Sequence, residues 1–245
     1  MPESFALTRL LNEIFGGVIS SLMQMVGVHP ANPAAPISDT YTVELLVAAC
    51  LIAFFVIVRL TLSVEKPGPA QHVAEMISEF TGSMAGQIIG HGYEKYQTFV
   101  TCIFLFVLSN NLVGLIPGVP APTTSPVVPL GLAIPTFLYY NYQGFRAQGV
   151  IGYLKHFCGP IWWMAWLLLP IELVSHFARI MSLTIRLYAN MFASDMLTLG
   201  FFSLIPLGIP SIFLGLHVFV SVIQAFIFML LSMIYLSLAV SHEAH

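Results

Sequence analysis

The sequence predicts an all-α polytopic membrane protein: about five membrane-embedded helices, one interfacial amphipathic helix and a long, polar-striped helical hairpin at the C-terminus. Three observations carry this fold class. Hydrophobic residues make up 58% of the 245-residue chain and charged residues only 8%, whereas a soluble domain carries about 25% charge. Apolar runs that match the roughly 20 residues needed to span a bilayer as a helix recur along the chain. The few charges inside those runs are spaced so that they share a helical face. The formal net charge of −3 gives nucleic acid no basic surface to bind. Cys50, Cys102 and Cys158 form no CxxC pair and have no histidine spacing suited to zinc, so no metal is expected. Each lies in or beside an apolar run and reads as a small buried thiol. The N-terminus lacks the charged, apolar, small-residue order of a cleaved signal peptide. No Gly-rich phosphate loop, HExxH or GxSxG is present, which excludes a soluble nucleotide enzyme.

Residues 1–42 form an N-terminal segment expected on the outer side, Pro-rich from Gly27 to Asp39, and residues 43–245 form a single membrane domain. The first span covers about 43–64, apolar from Leu45 to Val58; Pro67 and Pro69 stop it by withholding backbone donors. Residues 70–92 differ, because Val73, Ile77, Phe80, Met84 and Ile88 recur on one stripe while Glu75 and Glu79 lie off it. This pattern predicts an amphipathic helix at the membrane surface, or one packed on partner protein. No charge occurs from Tyr96 to Phe145, and five prolines from Pro117 to Pro129 divide that stretch into spans at about 97–116 and 128–145. A further helix covers about 161–205, a turn at Pro206 and Pro210 follows, and the last helix covers about 211–240. With five crossings and the N-terminus outside, Arg59, Lys66, Lys95, Arg146 and Lys155 fall on one side and only Arg9 on the other. That positive-inside asymmetry puts the C-terminus inside.

The chemistry concentrates in the last two helices. A charge at mid-membrane costs a few kcal/mol, yet residues 161–205 carry Glu172, Arg179, Arg186 and Asp195. At about 100° per residue, Glu172, His176, Arg179, Leu183, Arg186 and Asn190 fall within about 40° of one line. Such a stripe must face protein or water. Asp195 lies on another face. On the final helix His217, Ser221, Gln224 and Tyr235 share a face. An antiparallel register that levels Arg186 with Gln224 makes paired residue numbers sum to about 410. It gives three polar layers: Asp195 with His217; Arg186 with Asn190 and Gln224; and Glu172 with His176 and Tyr235. The first layer is then outer and the third inner. Carboxylates and imidazoles exchange protons once their surroundings tune them; an arginine does not. Proton-exchanging groups on both sides of a fixed cation make two half-paths with a barrier between them. Arg179 reads as snorkelling or pairing with Glu172. His217 admits two readings, a satisfied core histidine or a proton carrier, and Asp195 favours the second. Tyr235 reads as packing and interfacial anchoring more than relay, and His242 and His245 as solvated tail residues.

Arg186-Leu187-Tyr188-Ala189-Asn190-Met191 resembles the RLxxNM signature of the F-type ATP synthase a subunit family, bacterial type. Gln224-Ala225-Phe226-Ile227-Phe228 with Tyr235-Leu236-Ser237 is similar to that family's C-terminal helix; Leu169-Pro170-Ile171-Glu172 and Asn111 with Leu115-Ile116-Pro117 also fit. The resemblance covers roughly 65–242 and is most specific in 169–238. It implies a non-catalytic, proton-translocating stator subunit without cofactors, in the bacterial inner membrane. Its implied partners are a ring of c subunits, the b-subunit peripheral stalk, the remaining synthase subunits and membrane lipid. It also implies that Arg186 faces the ring, that Asn190, Asp195, His217 and Gln224 belong to an outer half-channel, and that Glu172 and Ser182 lie nearer an inner one. His176, Ser221 and Tyr235 are secondary candidates. Two departures stand out. The family often has Glu where Asp195 stands, and often an acid where Gly114 stands.

Three other functions were weighed. A secondary transporter usually shows two related halves, and no internal repeat is visible. An intramembrane hydrolase needs a nucleophile with a base, or a metal cluster. A scaffold without a transport role leaves the aligned polar layers unexplained.

Overall fold

Two helices longer than any bilayer requires organise the molecule. The computed structural model describes residues 6–25, 36–63, 65–116, 119–158, 165–204 and 209–240. Among these, all regular structure is helical: α1 (Ala6–Met25), α2 (Asp39–Leu60), α3 (Pro69–Ile88), α4 (Glu94–Val113), a short 3-10 turn (Pro122–Thr124), α5 (Val127–Cys158), α6 (Ala165–Leu204) and α7 (Ile209–Val240). Helices α6 and α7 run to 40 and 32 residues. The central element is α7, which packs against α6, α4, α5 and α3. Its Ala225, Phe228, Met229 and Met233 meet Leu183, Leu187 and Met191 of α6 and Val100, Phe104 and Val107 of α4 in one fully buried core. A smaller cluster of Tyr96, Tyr140, Leu236 and Ala239 closes the end where α7 terminates.

Among the described residues, four helices are long and apolar enough to cross a membrane: α2, α4, Trp166–Phe201 of α6 and Ser211–Val240 of α7. Helix α5, expected as a fifth span over 128–145, is not among them. Its second half reads Tyr140-Asn141-Tyr142-Gln143-Gly144-Phe145-Arg146, and it is sheltered by α6 and α7. It also continues past 145, interrupted at Gly149, where φ 74° and ψ 161° leave the helical region. Only glycine enters that conformation without strain. Pro135 sits inside α5, and Thr136 Oγ1 donates to the Leu132 carbonyl at 2.8 Å on the same turn.

The N-terminal segment is not all loop. Helix α1 docks on the start of α2 through Thr8, Asn12 and Gly16. Thr8 Oγ1 bonds Thr42 Oγ1 at 3.0 Å, and Asn12 clasps both the N–H and the carbonyl of Ile37 at 3.0 Å. A Cβ added at Gly16 meets the Pro36 ring at 3.6 Å. Leu10, Ile14, Phe15 and Val18 look outward instead. Small and polar inside, apolar outside is how helices associate in lipid. This contact starts α2 at Asp39, four residues before the expected 43, with Thr42 and Val43 buried. Residues 26–35 of the Pro-rich stretch lie outside the described residues.

Helix α3 packs against the first half of α4 across a turn in which Gly90 and Gly92 take φ of 82° and 84°. Thr81, Gly82 and Ala85 are buried; of the expected stripe, Ile77, Met84 and Ile88 pack against the core, and Val73 and Phe80 are exposed. Thr81 and Thr101 share a hydrogen bond of 2.8 Å, and Gln97 Nε2 donates to the Ser78 carbonyl at 2.7 Å. Small residues let the backbones of α3 and α4 approach closely. Cys50 and Cys102 are free and face outward, not buried as the sequence predicted, because apolar helix faces in a membrane protein need not turn inward. The Cys158 side chain, residues 161–164 and 205–208, and the tail with His242 and His245 lie outside the description.

Candidate polar path

The structure assembles the expected stripes on α6 and α7 and keeps the three expected layers, with α6 rotated about its axis from the expected orientation. Asn190 Nδ2 donates to Gln224 Oε1 at 2.8 Å, so Asn190, not Arg186, stands level with Gln224. Arg186 lies one helical turn away, half-buried, its Nη2 donating to Ser182 Oγ at 3.3 Å. Leu183, Leu187 and Met191 take the packed seam facing α7 and set the rotation of α6. That leaves the arginine on the flank beside the seam. Among the described residues no carboxylate pairs with Arg186. The adjoining face of α6, with Met181, Ser182, Ile185, Ala189 and Ala193, is exposed.

On one side of Arg186, His217, Ser221 and Gln224 are all buried on α7. The partner of His217 is not Asp195 but its neighbour Ser194: Ser194 Oγ and His217 Nδ1 share a hydrogen bond of 3.0 Å. One residue is about 100° of rotation, which turns Ser194 to the seam and leaves Asp195 half-buried beside it. Helix α4 joins this region, with Asn111 Nδ2 donating to the Ser221 carbonyl at 3.4 Å. His217 Nε2, Ser221 Oγ, Asn110 Oδ1, Asn111 Oδ1 and Thr123 Oγ1 are buried side-chain atoms without a protein partner. Buried polar atoms are rarely left unmatched, and ordered water is the usual partner. Ser194, Asn110 and Thr123 were missed in the sequence. The signal for one of them was present, a consecutive Asn110-Asn111 pair inside an apolar run. Gly114 cannot carry the acid common at its place, because a Cβ there falls 2.5 Å from the Ala121 Cβ.

On the other side of Arg186 the third layer forms as a cluster. His176 Nδ1 lies 3.5 Å from Glu172 Oε1, and Arg179 Nη2 lies 3.8 Å from the same oxygen. Arg179 also stands over the Tyr235 ring at 5.2 Å, a cation–π contact. Helix α5 adds Phe137 and Tyr140, whose rings meet His176 edge-on at 5.9 and 6.0 Å. Arg179 thus pairs with Glu172 as expected. Tyr235 packs between Arg179 and Tyr140. Two polar clusters, each containing an imidazole, therefore flank one unpaired guanidinium. No group of three or more His, Cys, Asp or Glu side chains suited to a metal occurs among the described residues.

The sequence profile of the family described as "ATP synthase A chain" matches residues 41–237. The chain is 52% identical over 242 residues to the ATP synthase subunit a of Koribacter versatilis, covering 99% of both chains. It is 46% identical to that of Solibacter usitatus, over 96% of this chain and all of the relative. It is 39% identical to that of Sulfurimonas denitrificans, over 84% of this chain and 92% of the relative. With a profile match across most of its length and relatives this similar from end to end, the chain belongs to the ATP synthase A chain family.

Proposed function

We propose that this chain is the proton-translocating membrane subunit of a rotary F-type ATP synthase. It is non-catalytic itself, sits in the bacterial inner membrane, and has its N-terminus outside and its C-terminus inside. The observation that carries the reading is Arg186: a half-buried guanidinium with no carboxylate partner among the described residues, between two buried polar clusters and beside an exposed face of α6. Protons enter from outside through the cluster of Asn190, Gln224, Ser194, Asp195, His217 and Ser221. They leave on the inside past Ser182 toward Glu172 and His176. The exposed face of α6 receives a ring of c subunits, each bringing its own carboxylate to Arg186. The cation favours the ionised form of an arriving carboxylate, so the proton is shed before the carboxylate passes. Because an arginine holds its proton, Arg186 also prevents leakage between the half-paths. The b-subunit stalk and the remaining synthase subunits complete the assembly, and α3 lies at the inner membrane surface.

The test is ATP-driven acidification of inverted vesicles carrying Arg186→Ala in an otherwise complete synthase. Pumping is abolished while subunit assembly persists. Arg186→Lys also fails, since a desolvated lysine loses its proton and lacks the planar fork. Normal pumping by the alanine variant refutes the reading. Repeating the wild-type assay with and without sodium, across pH, separates proton from sodium transport.

A further inference from the structure

The contact between Ser194 and His217 joins a hydroxyl and an imidazole that are both buried, with Ser194 Oγ 3.0 Å from His217 Nδ1. The other ring nitrogen, Nε2, lies on the far side of the ring from Ser194 and has no protein partner. Ser221 Oγ, one turn further along α7, and Asn111 Oδ1 on α4 are buried and unpartnered in the same way. Asn111 reaches the Ser221 carbonyl with its amide at 3.4 Å, which brings the two helices together at this level. Ordered water is the usual partner of such atoms, so the wet nitrogen of His217 is Nε2. The surroundings of the imidazole are neutral with one exception. Helix α4 presents Asn110 and Asn111 there, and the 3-10 turn and the start of α5 (Val127 to Ala133) carry no titratable side chain. Helix α3 reaches α7 at Phe226 and Ser237, more than two turns away. On α6, Arg186 stands two turns from Ser194, about 12 Å along the axis. The exception is Asp195, half-buried on the flank next to Ser194.

Resting on the proton path described above, we propose that Ser194 is a positioning residue whose neutral hydroxyl accepts a hydrogen bond from Nδ1–H of His217, fixing the tautomer and making Nε2 the atom that exchanges protons. Which nitrogen of an imidazole is free to react is set by the bond that the other one makes. A proton arriving from water forms the Nε2–H bond and returns to water when that same bond breaks; Nδ1–H stays intact throughout. The hydroxyl serves the neutral ring and the imidazolium alike, because both donate from Nδ1. A carboxylate in the same seat favours the imidazolium and holds the proton back. The rotation of α6 therefore has a chemical consequence. It seats the hydroxyl of Ser194 on the ring and keeps the carboxylate of Asp195 one residue off the seam.

The test uses the complete synthase in inverted vesicles, with initial rates of ATP-driven pumping measured against the pH buffered in the lumen, which is the outer side. Two variants put a carboxylate on Nδ1–H: Ser194→Asp alone, and Ser194→Asp combined with Asp195→Ser, which leaves the net charge unchanged. The ring then releases its proton only into a more alkaline lumen, so the half-maximal rate moves to higher lumen pH by about one unit or more. Ser194→Ala slows pumping at every pH without that displacement, and Ser194→Thr recovers most of the rate that alanine loses. A profile that keeps the wild-type position in both aspartate variants overturns the proposal. If neither aspartate variant assembles, the rescue by threonine supports the proposal, and equal rates for wild type, Ser194→Ala and Ser194→Thr overturn it. His217→Ala separates the two readings. Pumping that survives its loss at full rate removes the proton path itself, whereas slowed pumping beside unmoved aspartate profiles overturns the role of Ser194 alone.

Discussion

The hydrogen bond between Ser194 and His217 distinguishes the observed rotation of α6 from the one suggested by the sequence, and it can be measured. Ser194→Ala removes one bond of 3.0 Å between two buried side chains. His217 Nε2 already has no protein partner, so the alanine leaves a buried imidazole with neither nitrogen satisfied by protein. A buried orphaned polar group costs about 1–3 kcal/mol. Measured coupling energies across membrane helices average nearer 0.6 and reach about 1.7 kcal/mol. Because both groups are almost fully buried, the upper part of that range applies, about 1–1.7 kcal/mol. If the bond positions His217 during proton transfer, that energy corresponds to a slowing of roughly 5- to 17-fold. The assay is a double-mutant cycle on ATP-driven pumping rates with Ser194→Ala, His217→Ala and the double variant, beside a second cycle with Asp195→Ala. The coupling between 194 and 217 exceeds about 1 kcal/mol, and that between 195 and 217 stays under about 0.5 kcal/mol. The reverse order, with Asp195 the more strongly coupled, refutes the assignment of Ser194 as the partner of His217.

Three further outcomes follow from the same geometry. In a background lacking Cys50, Cys102 and Cys158, cysteines at 190 and 224 bridge with a short bifunctional thiol reagent more efficiently than cysteines at 190 and 220, because Asn190 and Gln224 bond at 2.8 Å; gel shifts after proteolysis read the difference. Gly114→Ala lowers the thermal stability of the complex by the roughly 1–3 kcal/mol typical of overpacking, since its Cβ meets Ala121 Cβ at 2.5 Å, and adding Ala121→Gly restores much of the loss. Arg179→Gln slows pumping less than about fivefold, as expected for a half-exposed ion pair worth no more than about 1 kcal/mol, in contrast to the complete loss at Arg186.

The polar stripes of α6 and α7 were legible because helical periodicity places charges on a face whatever the tertiary context. Glu172 with His176 and Arg179, and His217 with Ser221 and Gln224, emerge as clusters for that reason. Rotation about the helix axis is what periodicity leaves open. Asp195 drew attention as the ionisable residue, yet the short Ser194 is the one turned to the seam. The rotation is set by the packing of Leu187 and Met191 against α7, not by the polar groups. Helix α1 escaped for a related reason. Its buried face is Thr8, Asn12 and Gly16, which in water would read as the exposed side. Long-range polar contacts such as Asn111 to Ser221 join residues far apart in the chain, and no local pattern encodes them.

The length of α6 carries one more consequence. Its apolar stretch, Trp166–Phe201, holds 36 residues, about 54 Å of helix, against a hydrocarbon thickness of about 30 Å. An excess of some 24 Å is far beyond what local thickening of lipid absorbs, so a helix of this length crosses the membrane at a steep incline or with a bend. Its polar stripe then behaves as a ramp. Between Glu172 and Ser194, about 33 Å along the axis, such a stripe travels sideways as well as through the membrane. A transmembrane potential is worth about 2.3 kcal/mol per charge per 100 mV, and it acts only along the normal. A charge guided by such a ramp converts that vertical drop into lateral displacement, the direction in which the proposed ring would have to be pushed.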